Sequence, residues 1–432
     1  MLNTIILSFN SFFEKNHAKI INISLLITSI YFFLRSIDCL FLIPFPIGDE
    51  RVYVKEFNYF LKNGLIESIR NGMSIFFMLL SYLIHILTDM GEFSLRIAGL
   101  ISTLSLIIYF YFRLNFSNLN DKKIFFILLL FLIPTTGASI HATNDSMFFL
   151  FLIIYIFELF IIGRSIKGNK TLILLSSFIM IATRPVVIVY TGIIIISFFC
   201  FSLIYRIRKN IFFLKEIIFS LLIGFFATAF LSIPNFLNNN FELSYSDKSI
   251  YNERGVTWTE WVFHSQKIGN SSKRFGLFSP MLKWQEALKY KLEYGDKSLP
   301  DSYPEYLTHD LGFIFRRTIS SLFEITIISI RYVGLLLIVF PFFIIKKYLN
   351  NDFDNKMLIS FISIIGILTW SIIWPGLVQH RWLFPFYVII LYCILDYKLK
   401  FHYNIPINIL NLLIINFIIC WYFWKVSFFE GI

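Results

Sequence analysis

Repeated apolar runs, each roughly 20 residues long, limit what this chain can fold into more than any other feature of its sequence. An α-helix of that length crosses the hydrocarbon core of a bilayer. The composition agrees, because 57% of the 432 residues are hydrophobic and 15% are charged, whereas soluble domains carry about 25% charged residues. The sequence therefore predicts an all-α integral membrane protein and excludes a soluble globular one.

The net charge of +11 comes from lysines and arginines that cluster in short segments between the apolar runs. This is the positive-inside pattern of a membrane protein, so it does not indicate binding to nucleic acid. Assigning these segments to the cytoplasm predicts a polytopic helical bundle of about eleven transmembrane helices, with the N-terminus inside and the C-terminus outside. The predicted spans are 20–44, 94–112, 124–140, 146–163, 171–184, 185–205, 211–234, 328–345, 356–374, 382–397 and 405–424.

A short apolar stretch and a long polar segment interrupt this series. The stretch Ser74–Leu87 has about 14 residues, too few for a crossing, and predicts an interfacial or re-entrant helix at the outer face. The polar segment is too long for an ordinary connection. The chain is therefore predicted to comprise an N-terminal transmembrane module, 1–234, whose first outer loop is 45–93, then an outer-face loop or lid domain, 235–327, and C-terminal transmembrane helices, 328–432.

Two adjacent carboxylates, Asp49 and Glu50, follow directly after the first span. A carboxylate at the mouth of a membrane is partly desolvated, which raises its basicity and suits it to accept a proton or to hold a cation. The alternative is that both acids lie in a wet loop beside Arg51 and Lys55, where surface ion pairs contribute little. Charged residues of three later loops fall on the same predicted outer face: Asp145, Arg184 and Arg381.

Five short motifs follow one another in the predicted outer loops and span entries. They are Gly48-Asp49-Glu50-x-x-Tyr53, Phe93-Ser94-Leu95-Arg96-Ile97, His141-Ala142-x-Asn144-Asp145-Ser146, Thr183-Arg184-Pro185 and His380-Arg381-Trp382-Leu383-Phe384-Pro385. In this order they resemble the membrane-embedded GT-C glycosyltransferases of the protein O-mannosyltransferase and lipid A aminoarabinose-transferase type. The resemblance covers most of residues 20–397. It implies inverting transfer of a sugar from polyprenyl phosphate on the outer face of the membrane.

The carboxylates take catalytic roles in this interpretation. An inverting transfer needs a base within hydrogen-bond reach of the acceptor hydroxyl, and Asp49 matches the first-loop acid of the family. Glu50 and Asp145 then orient the acceptor. Alternatively, Asp49 and Asp145 hold a divalent cation, Mg²⁺ or Mn²⁺, since hard cations take oxygen ligands. A further alternative for Asp145 is that it caps the following helix.

Arginines of the later loops are predicted to bind the donor phosphate. A departing lipid phosphate gains negative charge, and guanidinium groups stabilise it with two parallel hydrogen bonds. Arg184 and Arg381 are the candidates, with His380 as a further donor. The alternative is that arginines at span ends anchor the helix at the membrane interface.

Three aromatic residues are candidates for binding the acceptor or the sugar. Tyr53 belongs to the first motif, and Trp258 and Trp261 lie in the predicted lid, where indole rings stack on sugar rings. Interfacial tryptophans also serve as membrane-belt anchors, so that alternative stays open.

Ionisable residues within spans are functional hypotheses by default. Arg35 and Asp38, three residues apart on one helix face, predict either a mutual ion pair or a border of the site. Glu158 and the pair Glu324 and Arg331 are interpreted as structural.

The sequence thus favours an inverting glycosyltransferase that moves a hexose or pentose from a polyprenyl-phosphate donor to a glycan, lipid or protein of the cell envelope. We expect it among the lipids of a bacterial inner membrane, with the site facing the periplasm or exterior. A surface-polysaccharide repeat-unit polymerase is one alternative, but it is not expected to carry an acidic pair after the first span. A lipid-linked-sugar flippase is another, and that class places polar residues at broken helices in mid-membrane.

Overall fold

The computed structural model describes residues 2–43, 45–46, 49–116, 118–137, 143–162, 169–184, 186–205, 211–238, 255–267, 282–350, 352, 354–373, 380–395 and 407–429. Within these ranges the chain is all-helical, without strands, as the sequence predicts.

The helices of the first half of the described chain are α1 Leu2–Ile37, which continues as a π-helix Asp38–Leu42, α2 Glu50–Arg70, α3 Ile75–Thr88, α4 Ser94–Arg113, α5 Leu119–Thr136, α6 Asp145–Phe157, α7 Lys170–Thr183, α8 Val187–Tyr205, α9 Ile211–Leu231 and α10 Ile233–Asn238. Those of the second half are α11 Trp258–Lys267, α12 Trp284–Tyr294, α13 Tyr303–Thr308, α14 Leu311–Val333, α15 Leu335–Leu349, α16 Asn355–Ile373, α17 His380–Leu395 and α18 Ile407–Phe429.

Helices α5, α6 and α17 form the centre of the bundle. Their apolar side chains are buried on every side, and nearly all of α6 is inaccessible. A helix that is apolar all round belongs at such a centre. By contrast, α1 and α9 expose large apolar side chains, among them Phe33 and Phe230, which indicates an apolar surrounding.

Four helical segments in the described residues are long and apolar enough to cross a membrane: Lys15–Leu42, Gly91–Arg113, Leu214–Leu231 and Asn355–Ile373. The bent pair α14 and α15 makes a fifth if it counts as one span. The predicted count of about eleven is not confirmed. Several predicted spans correspond to apolar helices shorter than a crossing, such as α7 and α17. At the stretch where the sequence predicts a shortened helix, α3 has 14 residues.

A sharp bend corrects the predicted span 328–345. Gly334 separates α14 from α15, and the chain turns by 105° there. Its φ of 70° lies in the left-handed region, which glycine adopts without steric cost. Buried Asn411 of α18 bridges the break, because its Oδ1 accepts from Leu335 N at 2.8 Å and its Nδ2 donates to Val333 O at 3.3 Å. One amide side chain therefore pairs backbone groups that the break leaves free.

Gly334→Ala is expected to destabilise the protein strongly, because a Cβ at this position would overlap Asn411 and the left-handed backbone disfavours it. Asn411→Leu should also destabilise it, by about 1–3 kcal/mol for each backbone group left unpaired. Gly192→Ala in α8, where an added Cβ meets no atom within 4 Å, is the matched control. Thermal unfolding of the purified variants in detergent measures the effect. Equal midpoints for the Gly334 and Gly192 variants would contradict this account.

Helices α11 to α13 and the first turn of α14 form a helical module with its own apolar core. The core side chains are Val256, Val262, Phe263, Ala287, Leu299, Tyr306 and Ile314. Thr257 and Glu260 form a reciprocal N-terminal cap on α11, since each backbone N–H donates to the other side chain, at 2.6 and 3.1 Å. Glu260 also pairs with Lys291 of α12 at 2.7 Å, which joins the two helices.

Tyr303 connects this helical module to the bundle. Its hydroxyl donates to Ile373 O at the end of α16, at 2.6 Å. Burial raises the pKa of Tyr303 to about 12, so the phenol keeps its proton and its donor role at neutral pH. The predicted boundary between 327 and 328 falls inside α14, so this one helix extends from the module into the region predicted as C-terminal spans.

Candidate functional site

Four charged side chains from distant segments meet at one end of the bundle, and we call them the acid–arginine cluster: Asp49, Asp145, Arg184 and Arg381. Arg381 joins the two acids, with Nη2 at 2.5 Å from Asp49 Oδ2 and Nη1 at 2.9 Å from Asp145 Oδ2. Arg184 Nη1 pairs with the other oxygen of Asp145. Each oxygen of Asp145 thus faces its own guanidinium group.

Helix ends position all four side chains. Asp49 immediately precedes α2, Asp145 opens α6, Arg184 follows α7, and Arg381 lies in the first turn of α17. Arg184 has extended backbone angles, φ −154° and ψ 125°, as expected for the residue before a proline. These ends coincide in space because α6 and α7 pack against each other and α17 lies in the buried centre beside α6.

Asp145 is buried and Asp49 is exposed. The side chain of Asp145 is 2% accessible, whereas that of Asp49 is 61% accessible. The alternative in which Asp145 caps α6 is not what the described geometry shows, because its carboxylate faces the two arginines. Of the two acids, only Asp49 is open to an incoming group.

The cluster as arranged does not fit a divalent cation. Its two carboxylates and two guanidinium groups sum to zero charge, and Arg381 lies between the acids, where a shared metal ion would bind. Hard cations need several oxygen ligands. Among the described residues, no group of three or more His, Cys, Asp or Glu side chains forms a metal site. The role predicted for Mg²⁺ or Mn²⁺ stays a prediction.

Glu50 forms a buried ion pair with Arg96 of α4. Arg96 Nε lies 3.1 Å from Glu50 Oε1, and its Nη2 lies 2.8 Å from Oε2, while Nη1 donates to Ile43 O at 2.9 Å. Both side chains are almost fully inaccessible, and the guanidinium also lies 4.7 Å from the centroid of the Phe45 ring. The carboxylate of Glu50 is therefore engaged inside the protein. The pair ties the first residue of α2 to α4, and Arg96 also holds Ile43, which follows the π-helix that extends α1.

Tyr53 and Asn144 fix the loops that carry Asp145 and Arg184. The hydroxyl of Tyr53 donates to Asn144 Oδ1 at 2.6 Å, and Asn144 Nδ2 donates to Thr183 O at 2.8 Å. Asn144 directly precedes Asp145, and Thr183 directly precedes Arg184. Tyr53 is therefore the first member of a chain of hydrogen bonds that reaches the residues preceding Asp145 and Arg184, and its predicted role in binding the acceptor or the sugar stays a prediction.

The segment of Arg381 is held in a similar way. Tyr190 of α8 donates to Trp382 O at 2.7 Å, and the Trp382 ring stacks on Trp370 with centroids 4.8 Å apart. Sequence reasoning missed Asn144, Tyr190 and the pairing of Arg96. Asn144 lies within a recognised motif, so its position next to Asp145 was a usable signal.

Trp258 and Trp261 do not lie at the acid–arginine cluster in the contacts described. Both pack on the core of the helical module, and Trp261 Nε1 donates to Leu282 O at 2.6 Å. These contacts are structural ones, and the predicted sugar stacking stays a prediction. The side chain of His380 lies outside the described part of the structure.

Comparisons with models of protein families, with curated proteins and with solved structures found no match. The function therefore has to be inferred from the residues of the cluster.

Proposed function

We propose that this protein is an inverting glycosyltransferase that uses a polyprenyl-phosphate sugar donor. The observation that carries the proposal is the meeting of an exposed carboxylate, Asp49, with two arginines that share a buried carboxylate, Asp145. An exposed acid provides a base for an acceptor hydroxyl. The arginines provide the fixed positive charge that a departing phosphate needs.

In the proposed reaction, the acceptor oxygen attacks the anomeric carbon of the donor sugar while Asp49 takes the hydroxyl proton. The bond between that carbon and the phosphate oxygen breaks, and the polyprenyl phosphate leaves with the electron pair. Arg184 and Arg381 stabilise its growing negative charge. Asp145 is then a positioning residue, because its oxygens hold both guanidinium groups in one place.

The self-neutralised cluster implies an order of events. Arg381 spans Asp49 and Asp145, so a donor phosphate that binds Arg381 competes with Asp49 for its Nη2 group. Displacement of this contact would leave Asp49 free to accept the proton. The geometry therefore favours binding of the donor before the acceptor.

The bend at Gly334 is the observation that favours the alternative of a transporter, since broken helices form ion and substrate sites in that class. Here, however, the backbone groups at the break are hydrogen-bonded to Asn411. A break whose polar groups are satisfied in this way does not offer them to a substrate. The polymerase alternative requires a different substrate, a diphosphate-linked oligosaccharide. An assay that offers each donor in turn therefore distinguishes a polymerase from the proposed transferase.

The proposal also covers the membrane in which the protein lies and the acceptor that it modifies. Several helices are long and apolar enough to cross a membrane, and we propose that this is a bacterial inner membrane with the cluster facing the periplasm. The acceptor is a glycan, lipid or protein of the cell envelope. The donor phosphate and the surrounding lipids are then its partners on the membrane side.

Arg184→Lys and Arg381→Lys are each expected to lower the rate of sugar transfer by roughly 10- to 100-fold. Lysine keeps the positive charge but lacks the planar guanidinium group that forms two parallel hydrogen bonds with phosphate, and a hydrogen bond to a charged group contributes about 1.5–3 kcal/mol. Arg70→Lys, in a surface pair with Glu67 of α2, is the matched control. The assay is turnover of polyprenyl-phosphate-linked sugar by purified protein in liposomes, with acceptor fractions supplied one at a time. No turnover by the wild-type protein with any acceptor fraction would overturn the proposal. Wild-type rates in both cluster variants would reduce these arginines to membrane anchors.

A further inference from the structure

Lysines collect where the membrane-crossing part of α1 begins and where α5 begins. The segments 15–22 and 119–126 contain four lysines and one acid, Asp121, so their net charge is +3 with histidine neutral. Counting Glu14, which precedes the first segment, leaves +2. Asp121 is buried, so the accessible charge of the two segments is positive. Positive-inside counting assigns both of them to the cytoplasmic side of the membrane.

The two lysine-bearing segments lie side by side. Lys123 Nζ donates to Asn22 Oδ1 at 2.8 Å, which joins α5 to α1 at this level. Further along the same two helices, the rings of Tyr31 and Phe131 have centroids 6.0 Å apart. The helices are therefore parallel neighbours in contact. Lys19 precedes Asn22 by three residues and lies on the same face of α1, so Lys19 and Lys123 border one groove between α1 and α5.

The lysines at this groove keep hydrogen-bonding capacity for an anion. Lys15 and Lys19 are exposed, and among the described side chains they make neither an ion pair nor a hydrogen bond. By contrast, Arg35 near the other end of α1 is neutralised by Asp38 at 3.1 Å, one of the two outcomes that the sequence predicts. Lys123 gives one N–H to α1 and keeps two of its three donors for another acceptor. Because this contact already orders its side chain, less freedom is lost when an anion binds there.

The same face of α1 continues as an apolar stripe, which consists of Leu26, Ile30 and Phe33. These residues follow Asn22 at intervals of three or four, the spacing of one helix face, and their side chains are 46–62% accessible. Such a stripe suits contact with acyl chains. A molecule that matches the whole surface has an anionic head and an apolar tail. Basic pockets between membrane helices on the cytoplasmic side bind the phosphate head groups of anionic lipids.

We propose that Lys19, Lys123 and Asn22 form a binding site for the phosphate head group of an anionic membrane lipid. The two ammonium groups donate to the phosphate oxygens, and Lys15 adds attraction at the rim of the site. The amide of Asn22 holds Lys123 in place, and the apolar stripe of α1 receives an acyl chain. Asp49 follows the opposite end of α1, so this site is separate from the acid–arginine cluster and does not depend on the transfer reaction.

The test is native mass spectrometry of the full chain in detergent, titrated with dioleoyl phosphatidic acid or dioleoyl phosphatidylcholine. The wild-type protein should retain phosphatidic acid in preference to phosphatidylcholine. Each single variant, Lys19→Gln or Lys123→Gln, should weaken retention of phosphatidic acid by about fivefold, and the double variant by more. Lys170→Gln is the matched control, because this exposed lysine at the first residue of α7 is also predicted to be cytoplasmic, and it should not change retention.

Charge-preserving variants guard against misfolding as an explanation. Lys19→Arg and Lys123→Arg alter the shape of the side chain but keep its charge, so they should retain phosphatidic acid at least as well as the wild-type protein. Equal retention of the two lipids, or equal losses in the Lys19→Gln and Lys170→Gln variants, would overturn the site, as would losses in the Arg variants that match those in the Gln variants. Displacement of the lipid by millimolar inorganic phosphate would show a site for free phosphate and would overturn its assignment to lipid. Because the readout is binding, its failure leaves the transferase proposal to its own turnover assay.

Discussion

Asp49→Asn is expected to lower the rate of sugar transfer by about 10²–10⁴, the usual contribution of a positioned general base. The amide keeps the volume of the side chain and can still accept a hydrogen bond from Arg381, which now lies 2.5 Å from Asp49 Oδ2. Expression, folding and donor binding should therefore persist. Single-turnover rates with a labelled polyprenyl-phosphate sugar, together with donor binding measured separately, distinguish loss of chemistry from loss of binding.

Two comparisons make this result specific to Asp49. Glu67→Gln removes an exposed carboxylate from α2, the helix that follows Asp49, and should leave the rate unchanged. Asp145→Asn should impair donor binding as well as rate, because Arg184 and Arg381 both rely on that carboxylate. A rate within a few-fold of wild type for Asp49→Asn, with a large loss for Asp145→Asn alone, would mean that the base lies in the second loop. If neither change matters, the transferase proposal fails.

The convergence of the acid–arginine cluster could be predicted from the sequence because helix topology alone determines it. Alternate loops of a membrane bundle share a face, so Asp49, Asp145, Arg184 and Arg381 were expected together. The chain turn at Arg184 was also predictable, since proline restricts the residue before it. The roles of these residues in catalysis remain predictions.

Side-chain pairing could not be predicted in the same way, because it depends on which helices pack side by side. Arg96 lies at the entry to a predicted span, where an arginine often only anchors the helix at the membrane interface, yet it forms a buried pair with Glu50 on another helix. Glu324 pairs with Arg317 rather than with Arg331. The bend at Gly334 had no local signal, because a glycine in an apolar run is compatible with a straight helix, and its stabilising partner Asn411 is distant in sequence.

The predicted number of spans is not confirmed, for a related reason. Apolar length predicts a crossing only when the helix continues through the whole run. The predicted span 328–345 crosses the break at Gly334, where the chain turns by 105°. Helix α6, by contrast, continues into a π-helix that begins at Glu158. Glu158 there is held by Arg113 at 2.7 Å, in agreement with the structural role expected for it.

Glu50→Gln is expected to affect stability more than chemistry. The change leaves the guanidinium of Arg96 buried without its carboxylate, and removing one partner of a buried ion pair costs about 3–5 kcal/mol. Because Arg96 also holds Ile43 O and faces the Phe45 ring, the segment that leads to Asp49 should loosen too. Thermal unfolding in detergent should show a large fall in midpoint, accompanied by a loss of transfer.

The double variant Glu50→Leu with Arg96→Met decides between a positioning role and a catalytic role for Glu50. Replacement of both partners of a buried ion pair by apolar residues is often neutral or stabilising, so the double variant should unfold at a higher temperature than Glu50→Gln. If Glu50 acts only through Arg96, transfer should recover along with stability, since the carboxylate itself contacts no substrate. A double variant that is stable but inactive would instead place Glu50 in contact with the acceptor. Normal stability of the single variant would show that Arg96 does not depend on this carboxylate, and the positioning role would then have no physical basis.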